Sequence, residues 1–260
     1  MLQEYRILEN GIVEFDKVQN AIDLLKMHEP PEGYYVAFSG GKDSVVILDL
    51  VKRAGVKYDA HYNVTTVDPP ELVKFIKREH PDVERHLPEK TMWQLIAENG
   101  MPPLRQIRYC CRILKERGGA GRRVVTGVRW AESHKRTKRR SVESCFRDSS
   151  KSYLNIIIDW LDEDVWEYIK SNSLPYCNLY DEGWKRLGCV LCPMANQQRE
   201  VERWPKIANA YRRACIKAFN ERKAKGLPMK YKHKSGDDLF EWWISGKGNT
   251  GDPDQGVLFE

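Results

Sequence analysis

The hexapeptide Ser39-Gly40-Gly41-Lys42-Asp43-Ser44 constrains the fold of this chain more than any other stretch. It follows a short aromatic and β-branched run, Tyr34–Phe38, and precedes a segment of helical patterning, Val45–Arg53. Adjacent glycines permit dihedrals and backbone approaches that side chains forbid, so successive N–H groups can converge on an anion. A helix that starts there points its positive end at the same place. Ser39 and Ser44 add hydroxyl donors, and Lys42 adds a cation. The loop is too short for the GxxxxGK[ST] phosphate loop. An ordinary turn with a helix cap at Ser39 or Asp43 is the alternative. All six residues together between a strand and a helix favour phosphate binding.

The remaining pattern extends this unit. Apolar spacing predicts helices over Lys17–Met27, Leu72–His80, Thr91–Asn99 and Gln106–Arg117, and strands over Tyr58–Val64, Arg123–Val128 and Asn155–Asp159. Asp162–Ser171 reads as a helix with an acidic first turn, which suits the helix dipole. Asn196–Lys223 reads as helical with a break at Pro205, and Gly246–Glu260 as a loose tail. Strands alternating with helices give an α/β class with a mostly parallel sheet and flanking helices. The expected organisation is a nucleotide-binding domain over residues 1–193 and a helical C-terminal lobe and tail over 194–260. With 41% hydrophobic and 31% charged residues the composition is that of an ordinary globular protein. No apolar run approaches the ~18 residues of a membrane span. Met1–Phe15 lacks a basic-then-apolar leader pattern, so a cytoplasmic protein without a membrane partner is expected.

The loop Ser39–Ser44 meets in full the SGGxDS pattern and resembles the PP-loop family, the ATP pyrophosphatases or adenine-nucleotide alpha hydrolases. The resemblance implies that fold, with ATP and Mg²⁺ at the loop and cleavage between the α and β phosphates. Nucleotide sits near the carboxyl ends of strands in such sheets, which would bring Asn63–Asp68, with Thr66 and Asp68, to the adenosine. For Asp68 alone, capping the Pro69 helix is the plainer reading. Gly127-Val128-Arg129-Trp130-Ala131-Glu132-Ser133 with Arg136 resembles the GxRxxES segment of adenylyl- and phosphoadenylyl-sulfate reductases. Arg129 is the expected bidentate phosphate ligand there, with Gly127 and Arg136 beside it. Lys42, Asp43 and Arg129 are the expected catalytic residues.

Seven cysteines, an odd number, suit metal or redox chemistry better than a disulfide framework. Cys110-Cys111 falls in a predicted helix, and Cys189-Val190-Leu191-Cys192 in a turn. Adjacent helical cysteines point about 100° apart, which favours a multinuclear centre over tetrahedral zinc. The arrangement resembles the four-cysteine [4Fe–4S] pattern of adenylyl-sulfate reductases, and LPYCNLYDEGWKRLGCVLCP and NIIIDWLDEDVWEYI extend the likeness. By that pattern Cys110, Cys111, Cys189 and Cys192 are the ligands, with Cys177 as a rival. The reductases' Glu-Cys-Gly-hydrophobic-His segment, which carries the nucleophile, has no match in these 260 residues. The overall text is nearer to reductase-like proteins related to the sulfurtransferase of DNA phosphorothioation.

The expected function is therefore cleavage of ATP to AMP and pyrophosphate in sulfur transfer or acceptor activation, with a sulfur donor as partner. The alternative is a reductase of adenylyl sulfate or phosphoadenylyl sulfate that releases sulfite with a thioredoxin-like reductant. A third reading, a nucleic-acid-binding or sensor module, rests on basic stretches at Arg105–Arg147 and Lys206–Lys234, densest at residues 134–140. A net charge of only +6 lends it little. The segment Phe240-Glu241-Trp242-Trp243 suits core packing better than base stacking.

Overall fold

A computed structural model describes residues 1–8, 11–228 and 233–247. In chain order its first elements are β1 (Gln3–Leu8), β2 (Gly11–Asp16), α1 (Lys17–Met27), β3 (Tyr34–Ala37), α2 (Lys42–Ala54) and β4 (Tyr58–Asn63). They continue with α3 (Pro70–Glu79), β5 (Glu84–His86), α4 (Met92–Asn99), β6 (Arg123–Val125), β7 (Val142–Ser144) and β8 (Ser152–Leu154). The last are α5 (Asp162–Ser171), α6 (Gln197–Arg203), α7 (Pro205–Ala224) and α8 (Gly236–Ile244). They fall into two compact units that interleave in sequence.

The first unit comprises residues 1–62, 71–86 and 118–187. Its six-stranded sheet has the order β5-β4-β3-β6-β8-β7, beside a separate β1–β2 hairpin. β3 pairs in parallel with β4 and β6, β6 pairs in parallel with β8, and β7 runs antiparallel to β8. The chain builds outward from β3 to β4 and β5, then returns to lay β6 on the other side of β3. The carboxyl ends of β3 and β6 thus flank a topological switch point, where the next strand leaves in the opposite direction. α2 buries Val45, Val46, Ile47, Leu48, Leu50, Val51 and Ala54, so it is apolar almost all round and packs centrally, against α1 and α5. Each such Val, Leu or Ile contributes about 1.5–3 kcal/mol of burial. The helix stops at Gly55, which takes the left-handed conformation at φ +69°.

The second unit comprises residues 63–70, 87–117 and the described part of 188–260. α7 packs against α4 and α8. Trp243 and Phe240 are buried, and Trp243 donates its indole N–H to the Pro103 carbonyl at 2.7 Å, so this segment is core. The cysteine segments belong to this unit, whereas the sequence division at residue 193 keeps them with the phosphate loop.

Several elements differ from expectation. Asn155–Asp159 is not a strand; the strand is Ser152–Leu154, and Ile156, Ile157 and Ile158 form a turn whose side chains are buried. Burial alone explains the apolar run, which periodicity cannot tell from a strand. The helix expected over Gln106–Arg117 shrinks to a short stretch ending in a π-helical turn, Cys111–Lys115. The β1–β2 hairpin adds to the expected elements, and α8 falls within the expected helical C-terminal lobe. Of the expected loose tail, residues 248–260 lie outside the described residues.

Candidate functional site

In the first unit, β3 delivers the chain into the Ser39–Ser44 loop at the switch point. Gly40 adopts φ +74°, and a Cβ there would stand 2.8 Å from Ile76 and Leu72 of α3, so only glycine fits. Gly41 occupies the N-cap of α2 with no side-chain cap, so neither Ser39 nor Asp43 closes the helix end. Ser44 donates to the Gly41 carbonyl at 2.8 Å and lies 3.3 Å from the Ser39 hydroxyl. The Lys42 N–H is met from outside the loop by the Tyr180 hydroxyl, at 2.9 Å. Burial pushes the Tyr180 phenol up, so it stays protonated and keeps an O–H to donate. A helix end without a side-chain cap, two serine hydroxyls and a phenol form a cradle for an anion.

The charged groups around this cradle are tied together. Lys42 is buried, and its ammonium lies 3.0 Å from Asp162 and 3.8 Å from Asp43. Arg129, on the loop after β6, is only 3% exposed. Its Nε donates to Asp43 at 2.6 Å, one terminal nitrogen to Asp162 at 2.9 Å, and the other to the Trp160 carbonyl at 3.3 Å. Burial opposes its charge, and Asp43, with Glu132 and Asp162, more than compensates. Three of its five N–H donors are thus engaged by the protein, and the guanidinium acts first as a clamp between α2 and α5 rather than as the open fork expected from sequence. Burial also opposes the Asp162 charge, yet Lys42 and Arg129 hold its carboxyl below the usual range. Gly127 permits this closeness, since a Cβ there would lie 3.0 Å from the Asp43 Cβ. Arg136 is half-exposed and pairs with Glu132, which also accepts the Arg129 N–H at 3.0 Å. Arg129 takes Asp43 Oδ1, which leaves Oδ2 as the oxygen a hard cation such as Mg²⁺ would use.

The second unit gathers the four expected cysteine ligands. Cys110 and Cys111 enter the π-helical turn, whose widened i→i+5 bond runs from the Glu116 N–H to the Cys111 carbonyl at 3.0 Å. Their sulfurs hydrogen-bond to each other, which pushes the Cys110 thiol up and, with Lys115 and Arg108 helping, lowers Cys111 to about 6. The same Lys115 lies within electrostatic reach of Cys189, whose thiolate form would raise the Lys115 ammonium. Burial pushes Cys189 up to about 11 against the pull of Lys115. The Cys189–Cys192 loop is fixed by its backbone. The Val190 N–H donates to the Val67 carbonyl at 2.8 Å, and the Val190 carbonyl accepts the buried Tyr211 hydroxyl at 3.1 Å. The Leu191 N–H donates to Glu200, and the Leu191 carbonyl accepts from Gln197 at 3.1 Å. These bonds hold Leu191 at φ +58°, a conformation a branched residue rarely takes unaided. Among the described residues, no three of these sulfurs lie within 4.8 Å of one another. One tetrahedral ion with bonds of about 2.3 Å needs a tighter set. A cluster whose thiolates bind different irons takes a wider one. Lys115 and Arg108 are the cations that act on Cys111.

Cys177 is buried in the first unit, with Glu71, Glu182 and Arg78 among its charged neighbours, whereas the other four belong to the second. Thr66 and Asp68 belong to the second unit. Thr66 accepts the Met92 N–H at the start of α4, at 3.0 Å. Asp68 accepts the Thr65 N–H at 2.8 Å. Of the basic run 134–140, Arg136 and Arg139 pair with Glu132 and Glu143. Sequence reading missed Tyr180, Asp162 and Lys115. Lys115 stands four residues after Cys111, a helical spacing that could have found it; Asp162 passed as dipole chemistry, and Tyr180 stood in the NLYDEGW stretch with no role assigned to it. No described helix is long and apolar enough to cross a membrane.

Comparison with known proteins follows the same residues. The family model described as the phosphoadenosine phosphosulfate reductase domain matches residues 33–195. An uncharacterised protein of Methanocaldococcus jannaschii is 31% identical over 73% of this chain and 43% of its own length. An adenosine 5'-phosphosulfate reductase of Oceanobacillus iheyensis is 31% identical over 60% of this chain and 69% of its own. The chain spans less than half the length of the Methanocaldococcus relative. Among solved structures, a phosphoadenylyl-sulfate reductase from Candida auris superposes with a TM-score of 0.50 at 19% identity, over 65% of this chain and 88% of that one, a likeness of fold. The SGGxDS loop at the switch point, the α/β sheet around it and the matched span make this chain a member of the phosphoadenosine phosphosulfate reductase family, within the PP-loop superfamily.

Proposed function

We propose that this chain is an adenine-nucleotide enzyme that cleaves ATP between its α and β phosphates and couples the adenylyl group to sulfur transfer. The observation that carries the reading is the N-terminus of α2, which has no side-chain cap and is ringed by Ser39, Ser44, Lys42 and Tyr180. The nucleotide's phosphates take the place of the missing cap. An acceptor oxygen bonds to the α-phosphorus, and the bridging oxygen leaves with pyrophosphate and the electron pair. Sulfide, or a donor of that class, then displaces AMP from the activated acceptor. Lys42 and the helix end stabilise the charge on the departing group. Asp43 would hold a Mg²⁺ that neutralises the phosphates. Arg129 is a positioning residue that fixes Asp43 and Asp162.

In this reading Cys110, Cys111, Cys189 and Cys192 hold a [4Fe–4S] cluster, which supplies bound sulfide and single-electron chemistry when present. Lys115 offsets the negative charge of the thiolates. A nucleic-acid acceptor is not carried forward, because two of the basic residues expected to meet it are spent on Glu132 and Glu143.

The named relatives favour a second reading, reduction of adenylyl sulfate or phosphoadenylyl sulfate to sulfite. There a thiolate would bond to the sulfonyl sulfur, the nucleotide would leave, and a thioredoxin-like dithiol would release sulfite while becoming a disulfide. Both readings share the nucleotide cradle and differ in the bond broken. Anaerobic turnover with labelled ATP or adenylyl sulfate separates them. Pyrophosphate release supports the first reading; sulfite release with a dithiol and no pyrophosphate overturns it. Iron and sulfide analysis after anaerobic purification tests the cluster, with loss of both expected in Cys189→Ser.

A further inference from the structure

Away from the phosphate loop, the outer edge of the sheet carries an unassigned convergence of ligand atoms. β4 places Asp59 and His61 two residues apart, hence on one face, and the neighbouring β5 does the same with Glu84 and His86. His61 Nδ1 and His86 Nε2 face each other at 2.7 Å. The two Glu84 carboxylate oxygens lie 3.5 Å from His61 Nδ1 and 3.7 Å from His86 Nε2. One ligand atom from each residue falls within 4.8 Å of the others.

We propose that His61, His86 and Glu84 bind a divalent transition-metal ion of the zinc class, with one coordination position left to water. Two observations support this, and the second separates it from a simple histidine–histidine hydrogen bond. The first is the tautomer. His61 Nε2 is engaged by Asp59, whose carboxylate is itself held by Arg122 at 2.5 Å. A carboxylate on that nitrogen takes its N–H and leaves Nδ1 as a bare lone pair aimed at the cluster, which is how an outer carboxylate orients a metal-bound imidazole. The second is Glu84. Its oxygens stand at 3.5–3.7 Å from the two nitrogens, too far for good hydrogen bonds but within the reach of a shared ion with bonds of about 2.0–2.2 Å. Two imidazoles and a carboxylate suit Zn²⁺, Co²⁺ or Ni²⁺ better than the hard ions Ca²⁺ and Mg²⁺.

The ring of His61 is fixed, because it is buried and stacks on Tyr35 with centroids 4.0 Å apart. His86 and Glu84 are more exposed, at 36% and 66%, and supply the small adjustment that opens the 2.7 Å contact for an ion. The exposed side of Glu84 is where the water ligand would stand.

The test uses the anaerobically purified protein with its cysteine centre as isolated, titrated with Co²⁺ against a chromophoric chelator. One bound equivalent without thiolate charge-transfer absorption is expected. His86→Gln and Glu84→Gln, both at accessible positions, should lose that equivalent while keeping the wild-type far-UV circular dichroism. Asp59→Asn should weaken it about 10–100-fold, the usual cost of losing an outer carboxylate. The proposal is overturned if no such equivalent binds at millimolar Co²⁺, or if the two variants bind it unchanged, which would leave the pair as a hydrogen bond alone.

Discussion

Replacing Arg129 with alanine removes a guanidinium that is 3% exposed and bonded to Asp43, Asp162 and the Trp160 carbonyl. Taking one partner from a buried ion pair costs about 3–5 kcal/mol, because the other charge stays behind without compensation. The two carboxylates differ in how much they lose. Asp162 is 53% exposed and can rehydrate, so its share resembles that of a surface pair, under about 1 kcal/mol. Asp43 is 24% exposed and sits against the backbone of residue 127, so most of the loss falls there. Arg129→Ala should therefore lower the unfolding free energy by about 3 kcal/mol. Asp162→Asn takes the 3.0 Å partner from the buried Lys42, but leaves both Lys42 and Arg129 with Asp43, and should cost less than Arg129→Ala. Arg129→Lys keeps a charge but not the three-way fork, and should fall between them. Urea denaturation of the nucleotide-free protein, followed by circular dichroism, reads all three. A loss below about 1 kcal/mol for Arg129→Ala, or equal losses for Arg129→Ala and Asp162→Asn, would refute the clamp.

Further outcomes follow from other contacts. Gly40→Ala combines a left-handed dihedral with contacts of 2.8 Å to Ile76 and Leu72, and should cost roughly 2–4 kcal/mol and weaken nucleotide binding, measured by denaturation and calorimetry. Glu200, raised by burial from 4.5 to about 7, holds its proton more tightly folded than unfolded. Its contribution is full below pH 4.5 and is lost as pH rises through about 7, on the order of 3 kcal/mol. Glu200→Gln still accepts the Leu191 N–H and should flatten that part of the stability–pH profile; an unchanged slope would remove Glu200 as its source.

What the sequence disclosed was local. Lys17–Met27 and Asp162–Ser171 match their helices residue for residue, because each buries one face and starts at a clear boundary. The break at Pro205 and the left-handed Gly40 follow from single-residue chemistry. The β1–β2 hairpin pairs Leu8 with Gly11, so Asn10-Gly11 does not supply the central turn pair, and the short runs on either side were its main sequence signal. The π-helical turn had none, since its period differs from the helix around it by one backbone bond. The site divides the same way. The six loop residues and the four cysteines stand out in sequence, whereas Tyr180 reaches Lys42 from 138 residues away and Asp162 completes the Arg129 clamp from 33. Tertiary packing alone brings those partners together.

The claim that α2 receives a nucleotide phosphate is tested most directly by anaerobic calorimetry of ATP with Mg²⁺, beside adenylyl sulfate, on the wild type and Lys42→Ala. The account expects ATP to bind the wild type more tightly than adenylyl sulfate, and to weaken at least about tenfold, or about 1.4 kcal/mol, in the variant. ATP binding of equal strength in both proteins would contradict the assignment of this loop, and a preference for adenylyl sulfate would transfer the reaction to sulfonucleotide reduction.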